Sequence, residues 1–171
     1  MALQRWAPIE AADDAETLAT RLARIGGPLL AETLTLAHAG RAPRHPQDRA
    51  AGSYARKLGK RDGLVDWALD ATTVWNRQRA VTPWPGAATA HKDRQILLVR
   101  TEPLHLLPLG VPAGALVEVG RGAIVVACAP GALTLVTVRP EGRGDMGAAE
   151  WARGARLAVG EKLMVEKEAH A

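Results

Sequence analysis

The chain is predicted to be α+β: a helical first part followed by a small antiparallel β-barrel or sandwich. Three observations predict it. In the first part, apolar residues recur at helical spacing. Beyond Pro85 the pattern changes to short β-branched or leucine-rich runs, separated by Gly, Pro or charged turns. Between them lies Arg79-Ala-Val-Thr-Pro-Trp-Pro-Gly-Ala87, in which Pro83 and Pro85 flank Trp84 and Gly86 follows. Each proline fixes φ and pushes the residue before it toward extended geometry. The preceding helix is therefore expected to stop near Val81, with Trp84 on a stiff, extended bridge between two unlike parts.

The elements follow in order. Leu3 to Ile9 reads as extended and is interrupted by Pro8. Asp13 or Asp14 can cap a helix. Leu18, Leu22, Ile25 and Leu29 fall at helical spacing, Leu30, Leu34 and Ala37 continue the stripe, and Gly40 is a C-terminal stop. Gly26-Gly27-Pro28 is expected to kink or split this helix. Residues 42–52 form a loop. Ala55 to Leu58 is a short extended or helical piece, and Lys60-Arg61-Asp62-Gly63 is turn-like. Asp70 can cap a helix from Ala71 to about Val81, with Val74, Trp75 and Gln78 on one side. Strands are predicted over Gln95–Arg100, Ala115–Val119, Ala123–Ala129 and Leu133–Arg139. Ala148–Arg153 fits a brief helix, and Leu157–Val165 a last strand or helix turn. His105 interrupts an apolar run at an expected strand end.

Composition bounds the function. At 171 residues and 47% apolar, the chain has room for one domain or two small ones and can bury a core. Five Trp, one Tyr and no Phe leave that core to Leu, Val, Ala and Ile. Cys128 is the only cysteine, so an internal disulfide is excluded and no Cys/His pairing suits a structural zinc. The N-terminus lacks a signal-peptide pattern, and no run approaches the roughly 18 apolar residues of a membrane span. A soluble, cytoplasmic protein is expected. The net charge of +4 is concentrated: residues 51–95 carry eight Lys/Arg against four Asp/Glu, while the segments on either side balance. That points to an anionic partner, the alternative being a merely solvated basic face.

The chain has no G-x-G-x-x-G, P-loop, G-x-S-x-G or H-E-x-x-H motif. Its histidines, at 38, 45, 91, 105 and 170, have no paired ligand spacing. Cys128, within Ile124-Val-Val-Ala-Cys-Ala129, reads as a buried small hydrophobe rather than a nucleophile. Asp66 reads as a turn or cap residue. No catalytic residue and no metal ligand is assigned. By contrast, Trp67, Trp75 and Trp84 interleave with Arg56, Lys57, Lys60, Arg61, Arg77 and Arg79, a mixture that can bind looped or single-stranded RNA. The alternative is that Trp67 and Trp84 anchor a linker to a domain surface.

Ser53-Tyr-Ala-Arg-Lys-Leu58, Val65-Asp-Trp67, Arg79-Ala80 and Pro83-Trp-Pro-Gly-Ala87 together resemble methionyl-tRNA formyltransferase. That family has Tyr-Ala-x-Lys-(Leu/Ile), Ile-Asp-Trp, a helix and Arg-Ala-x-x-Pro-Trp-Pro-Gly-Ala in the same order and spacing. Leu3-Gln-Arg5, Pro8-Ile9 and the Leu22–Leu34 helix look like the end of the family's Rossmann-like catalytic domain. Pro140-Glu-Gly-Arg143, Met146 and Gly154 to Leu163 are similar to the end of its C-terminal domain. The chain departs from the family at Gly144-Asp145, where a second basic residue is common, and at Val74-Trp75-Asn76.

The resemblance implies three parts: residues 1–52 as the C-terminal remnant of a catalytic domain, 53–87 as linker and helix, and 88–171 as an OB-like barrel. It implies an enzyme that moves a formyl group from 10-formyltetrahydrofolate to methionyl-tRNA in translation initiation. The family's catalytic Asn, His and Asp have no counterparts here, so this chain is expected to be silent alone and to bind no cofactor itself. The acceptor arm of initiator tRNA is the expected partner, together with a missing N-terminal catalytic domain. The implied phosphate contacts are Arg56, Lys57, Lys60, Arg61, Arg77, Arg79 and Arg143, positioning the RNA without reading its sequence. Trp67 and Trp84 are the implied interdomain anchors. An exposed face of Leu18, Leu22, Leu29 and Leu34 is expected to favour dimerisation. Two other classes stay open: the C-terminal domain of another 10-formyltetrahydrofolate-using formyltransferase or hydrolase, and a stand-alone interaction module.

Overall fold

The computed structural model describes residues 2–48, 50–104, 110–120 and 122–164. Expectations for His105, Val165 and His170 lie outside them. The chain divides into two compact units, 1–57 and 58–171.

The first unit is built on α1 (Ala15–His38). Asp14 caps it by accepting from the Thr17 amide, while the Thr17 hydroxyl accepts from the Asp14 amide, a reciprocal capping box. Asp13 is buried. It accepts from the Glu10 amide at 2.7 Å and pairs with Arg21, whose guanidinium also donates to the Pro8 carbonyl at 2.8 Å. These bonds fold residues 8–10 back onto the helix. The expected break at Gly26-Gly27-Pro28 does not occur, and α1 is one helix of 24 residues with Pro28 inside it. Pro28 brings no amide donor for the carbonyl four residues earlier, that of Arg24, which is exposed. The leucine face divides. Leu18, Ile25, Leu29 and Leu36 are half-buried, whereas Leu22, Leu30 and Leu34 are exposed. No residue of α1 is fully buried.

The second unit carries a six-stranded antiparallel sheet with two helices. Its elements are a 3-10 turn (Lys60–Gly63), α2 (Ala71–Ala80), β1 (Ala87–His91), β2 (Arg94–Leu104), β3 (Leu116–Val119), β4 (Ile124–Ala127), β5 (Ala132–Pro140), β6 (Met146–Gly147) and α3 (Ala148–Ala155). Together with α1 this is an α+β chain, with three α-helices among the described residues. The strand order is β1-β2-β5-β4-β3, with β6 on β5. The sequence missed β1 and β6: Ala87–His91 is alanine-rich and lacks alternation, and β6 is only two residues long.

The expected closed barrel is replaced by an open sheet. β3 and β4 have four residues each, too few to wrap round to β1. The gap is spanned by residues 160–164, which make single bridges, Ala90 to Met164 and Ala115 to Lys162, instead of the predicted strand or helix turn. The β1–β2 hairpin turns on Lys92 and Asp93, with φ of 49° and 64°, the left-handed pair that a two-residue hairpin needs.

Nonpolar residues of both helices and most strands meet in one core around Ile96, Leu98, Leu116, Ile124, Leu133 and Val138. A bulge interrupts β2 between Leu98 and Thr101. The buried Gln78 of α2 satisfies the groups this exposes. Its Nε2 donates to the Val99 carbonyl at 2.9 Å, and its Oε1 accepts from the Thr101 hydroxyl at 3.2 Å. A polar side chain on the helix's core face is thus explained by the irregular strand beneath it.

Residues 81–85 form a turn, not the expected extended bridge, closed by the Gly86 amide donating to the Val81 carbonyl at 2.9 Å. The Thr82–Pro83 and Trp84–Pro85 bonds are both cis. α2 ends at Ala80 with Val81 as its C-cap. The turn brings Gly86 against Gly63, so close that a Cβ on Gly63 would lie 2.1 Å from the Gly86 carbonyl oxygen. Replacing Gly63 by Ala should therefore destabilise the second unit by about 3 kcal/mol or more, by overpacking against backbone. Gly154→Ala, in a helix with open space around it, should instead stabilise by about 0.5–1 kcal/mol. Urea unfolding of both variants measures the contrast.

Candidate nucleic-acid interface

The basic residues singled out from sequence fall in separate places. Arg56 and Lys57 belong to the first unit and are exposed. In the second unit, Lys60 and Arg61 stand on the 3-10 turn, solvent-facing. That turn is fixed from both sides. The Asp62 carboxylate accepts from the Gly59 amide at 2.7 Å, and the Val65 amide donates to the Ala88 carbonyl of β1 at 2.9 Å. Arg77 of α2 lines a small crevice with Gly63, Leu64, Val65 and Asp66, so it flanks the same turn. Arg77 thus stands beside the turn that bears Lys60 and Arg61, although it lies 16 positions beyond Arg61 in the sequence.

Arg79 plays a different part. Its guanidinium lies 4.0 Å from the centre of the Trp75 ring and donates to the Asn76 side chain at 2.6 Å. The Trp75 indole N–H donates to the Thr101 carbonyl at 3.1 Å, which fixes the ring that Arg79 covers. A stacked cation presents a flat, positive face. Arg143 stands apart, on the turn between β5 and β6. Among the described residues, Lys57, Lys60, Arg77 and Arg143 have no ion-pair partner.

The two tryptophans differ. Trp67 is buried, 3% exposed, inside the second unit's core. Its indole N–H donates to the Thr89 hydroxyl at 3.1 Å, and that hydroxyl donates to the Met164 carbonyl at 2.8 Å. Trp84 is 59% exposed on the 81–85 turn.

A second feature is not visible in the sequence. An open groove of about 410 Å³ runs between the β1–β2 hairpin, the end of β5 and α3. His91 and Trp151 form its inner wall, the rings edge to face at 6.2 Å. Glu161 accepts from Lys92 at 2.8 Å and lies 3.0 Å from His91 Nε2. The Lys92 ammonium, and then the His91 ring, hold the Glu161 carboxyl below its ordinary value of 4.5 against the opposing effect of burial. His91 and Glu161 are committed to each other and to Lys92, an arrangement that ties the hairpin to the 160–164 segment. The signal for this groove was the Lys92-Asp93 turn, which alternation alone did not reveal.

No cluster of three or more His, Cys, Asp or Glu able to hold a metal occurs among the described residues. Cys128 is buried, and burial pushes its thiol up to about 12, with Asp70 adding to the effect, so it is no nucleophile at neutral pH. No helix among the described residues is long and apolar enough to cross a membrane.

Fold and site thus define a small open-sheet domain with basic turns displayed on its surface. The formyl transferase C-terminal domain family matches residues 57–156, more than half of the chain, and the chain belongs to that family. The chain is 40% identical to the methionyl-tRNA formyltransferase of Methylacidiphilum infernorum, over 91% of this chain and 49% of the relative. It is 43% identical to that of Anaeromyxobacter dehalogenans, over 90% of this chain and 50% of the relative. It is 36% identical to that of Citrifermentans bemidjiense, over 99% and 52%. The chain therefore spans about half the length of the curated relatives it matches. Among solved structures, HypX from Aquifex aeolicus in complex with tetrahydrofolic acid is similar in fold, with a TM-score of 0.57 at 20% identity, over 78% of this chain and 23% of that one.

The tie through Glu161 carries a pH dependence. Its folded-state pKa is depressed, so its stabilising contribution is complete above the ordinary value of 4.5 and is lost as pH falls through the lower folded value. Glu161→Gln should therefore lose less stability than the wild type between neutral pH and that acid range. Urea midpoints across the range measure it, and equal losses would remove Glu161 from the account.

Proposed function

We propose that this chain is the tRNA-facing C-terminal part of a methionyl-tRNA formyltransferase. The observation that carries the reading is identity of 34–43% to enzymes of that name over 90–99% of the chain. In this reading the whole enzyme transfers a formyl group from 10-formyltetrahydrofolate to the amino group of methionyl-tRNA, in the cytoplasm, during translation initiation. No residue of this chain is assigned to formyl transfer or to the folate, and the catalytic work belongs to an N-terminal catalytic domain. We also propose that residues 1–52, 53–87 and 88–171 correspond to the end of that domain, a linker with α2, and an OB-like domain. The single bridges of 160–164 to both edges of the open sheet support the OB-like character.

The contribution of the chain is electrostatic. Lys60, Arg61 and Arg77 flank one fixed turn, so their charges reach an RNA backbone without first ordering a loop. Arg79 offers its stacked guanidinium, and Arg56, Lys57 and Arg143 add further phosphate contacts. Trp67 and Trp84 serve the 53–87 segment as anchors, Trp67 by its buried indole and Trp84 by an exposed ring available for packing. Phosphate contacts carry no sequence information. Choice of initiator tRNA is therefore left to other parts of the enzyme.

The test is titration of labelled initiator tRNA at low and raised salt. Binding should weaken linearly in log–log form as salt rises. Lys60→Ala with Arg61→Ala should lower that slope by about two, because each side chain neutralises one phosphate. Absence of binding at low salt would remove the RNA role and leave a structural one.

A further inference from the structure

We propose that α1 carries a homodimer seam, in which Ala19, Ala23, Gly26, Leu30 and Leu34 pair antiparallel with the same residues of a second copy of this chain. The proposal goes beyond the RNA reading and does not depend on it. It begins with exposure. Leu18 and Leu29 are half-buried, so the dimer face expected from sequence, Leu18, Leu22, Leu29 and Leu34, is only partly available. A different line is open. Ala19, Ala23, Gly26, Leu30, Leu34 and Ala37 follow one another at steps of three and four, the spacing of one helix side. All of them are exposed, Leu30 at 59% and Leu34 at 61%. No charged residue interrupts the line, and Pro28 falls roughly on the opposite side of the helix.

The partner that fits this seam is the seam itself. In a twofold contact, if one residue of the first copy meets another of the second, the reverse pair also forms. The midpoint of the line lies between Gly26 and Gly27. Ala23 and Leu30 stand equally far from it, about 5 Å along the axis, and so do Ala19 and Leu34, at about 11 Å. Antiparallel pairing about that midpoint therefore sets each leucine of one helix against an alanine of the other. The glycines meet at the centre. Both face open space in the single chain, with nothing within 4 Å of a Cβ built there. Small residues opposite large ones let the two axes approach closely.

Charge selects the direction. Glu16 lies at one end of the seam, and Arg41 follows the other. Neither has an ion-pair partner among the described residues. Antiparallel pairing brings Glu16 of each copy to the end that carries Arg41 in the other. Parallel pairing would oppose Glu16 to Glu16. Opposed helix dipoles favour the same antiparallel choice. One helix pair is smaller than a standard interface of about 1,600 Å², so the dimer belongs to the weak, micromolar class.

Sedimentation equilibrium of the full chain from about 1 µM to 1 mM tests this. The molar mass should rise with concentration toward twice that of the chain. Ala23→Lys should weaken association at least tenfold. Thr35→Lys adds the same charge at an exposed position on another side of α1 and should leave association unchanged. Disulfide trapping reads the register. Cys128 is buried and its thiol is pushed up to about 12, so introduced cysteines report alone. Gly26→Cys should cross-link to itself. Ala19→Cys should cross-link to Leu34→Cys and not to itself. Thermal melts establish that each variant is folded, and the trapping arm needs no change at Ala23. A monomer at every concentration overturns the dimer and leaves the seam to the catalytic domain of the reading above. Association of Ala23→Lys equal to wild type, or self cross-linking of Ala19→Cys, also overturns the proposal.

Discussion

The second unit depends on one hydrogen-bonded line: Trp67 to Thr89 to the Met164 carbonyl. The three residues come from the segment before α2, from β1 and from the chain's closing stretch. Thr89 is fully buried, so its hydroxyl must both accept and donate inside the core, and only this pair of partners satisfies it. The line fixes where β1 begins. It also holds residues 160–164 across the gap that the short β3 and β4 leave open. Gly114 allows that closing stretch to lie flat, since a Cβ there would meet the Leu163 carbonyl at 2.5 Å.

The basic turn proposed for RNA contact is positioned from that line. The turn bearing Lys60 and Arg61 sits just before Trp67, and its end is hydrogen-bonded to β1 through Val65 and Ala88. Gly63 against Gly86 then locks the turn to the proline-rich loop. A flexible basic loop would lose much of its binding energy to ordering, whereas this one is ordered by the core beneath it. At the far side, Glu161 continues the same logic by tying the β1–β2 hairpin to the closing stretch.

The sequence made the helices legible because their signals are local: Asp14 and Asp70 as caps, the leucine period, and Pro83 as a stop. The strands after Gln95 were legible from their β-branched runs. β1 was not, because Ala87–His91 is buried at every position and its alternation is erased. Barrel closure was not legible either, since it depends on which edges meet and not on any one segment. Gln78 read onto the same side of α2 as Val74 and Trp75, and only the β2 bulge explains why a polar side chain is buried there. Among site residues, Lys60 and Arg61 were found by charge, but the place of Arg77 beside their turn required the fold.

The central claim is that fixed basic turns of this chain face a tRNA. Acetylation footprinting of lysines in the tRNA-bound chain addresses it most directly. The account predicts protection of Lys57 and Lys60 on adding initiator tRNA, with the exposed Lys162 unchanged. Equal protection at all three, or protection at none under conditions where binding occurs, would contradict it.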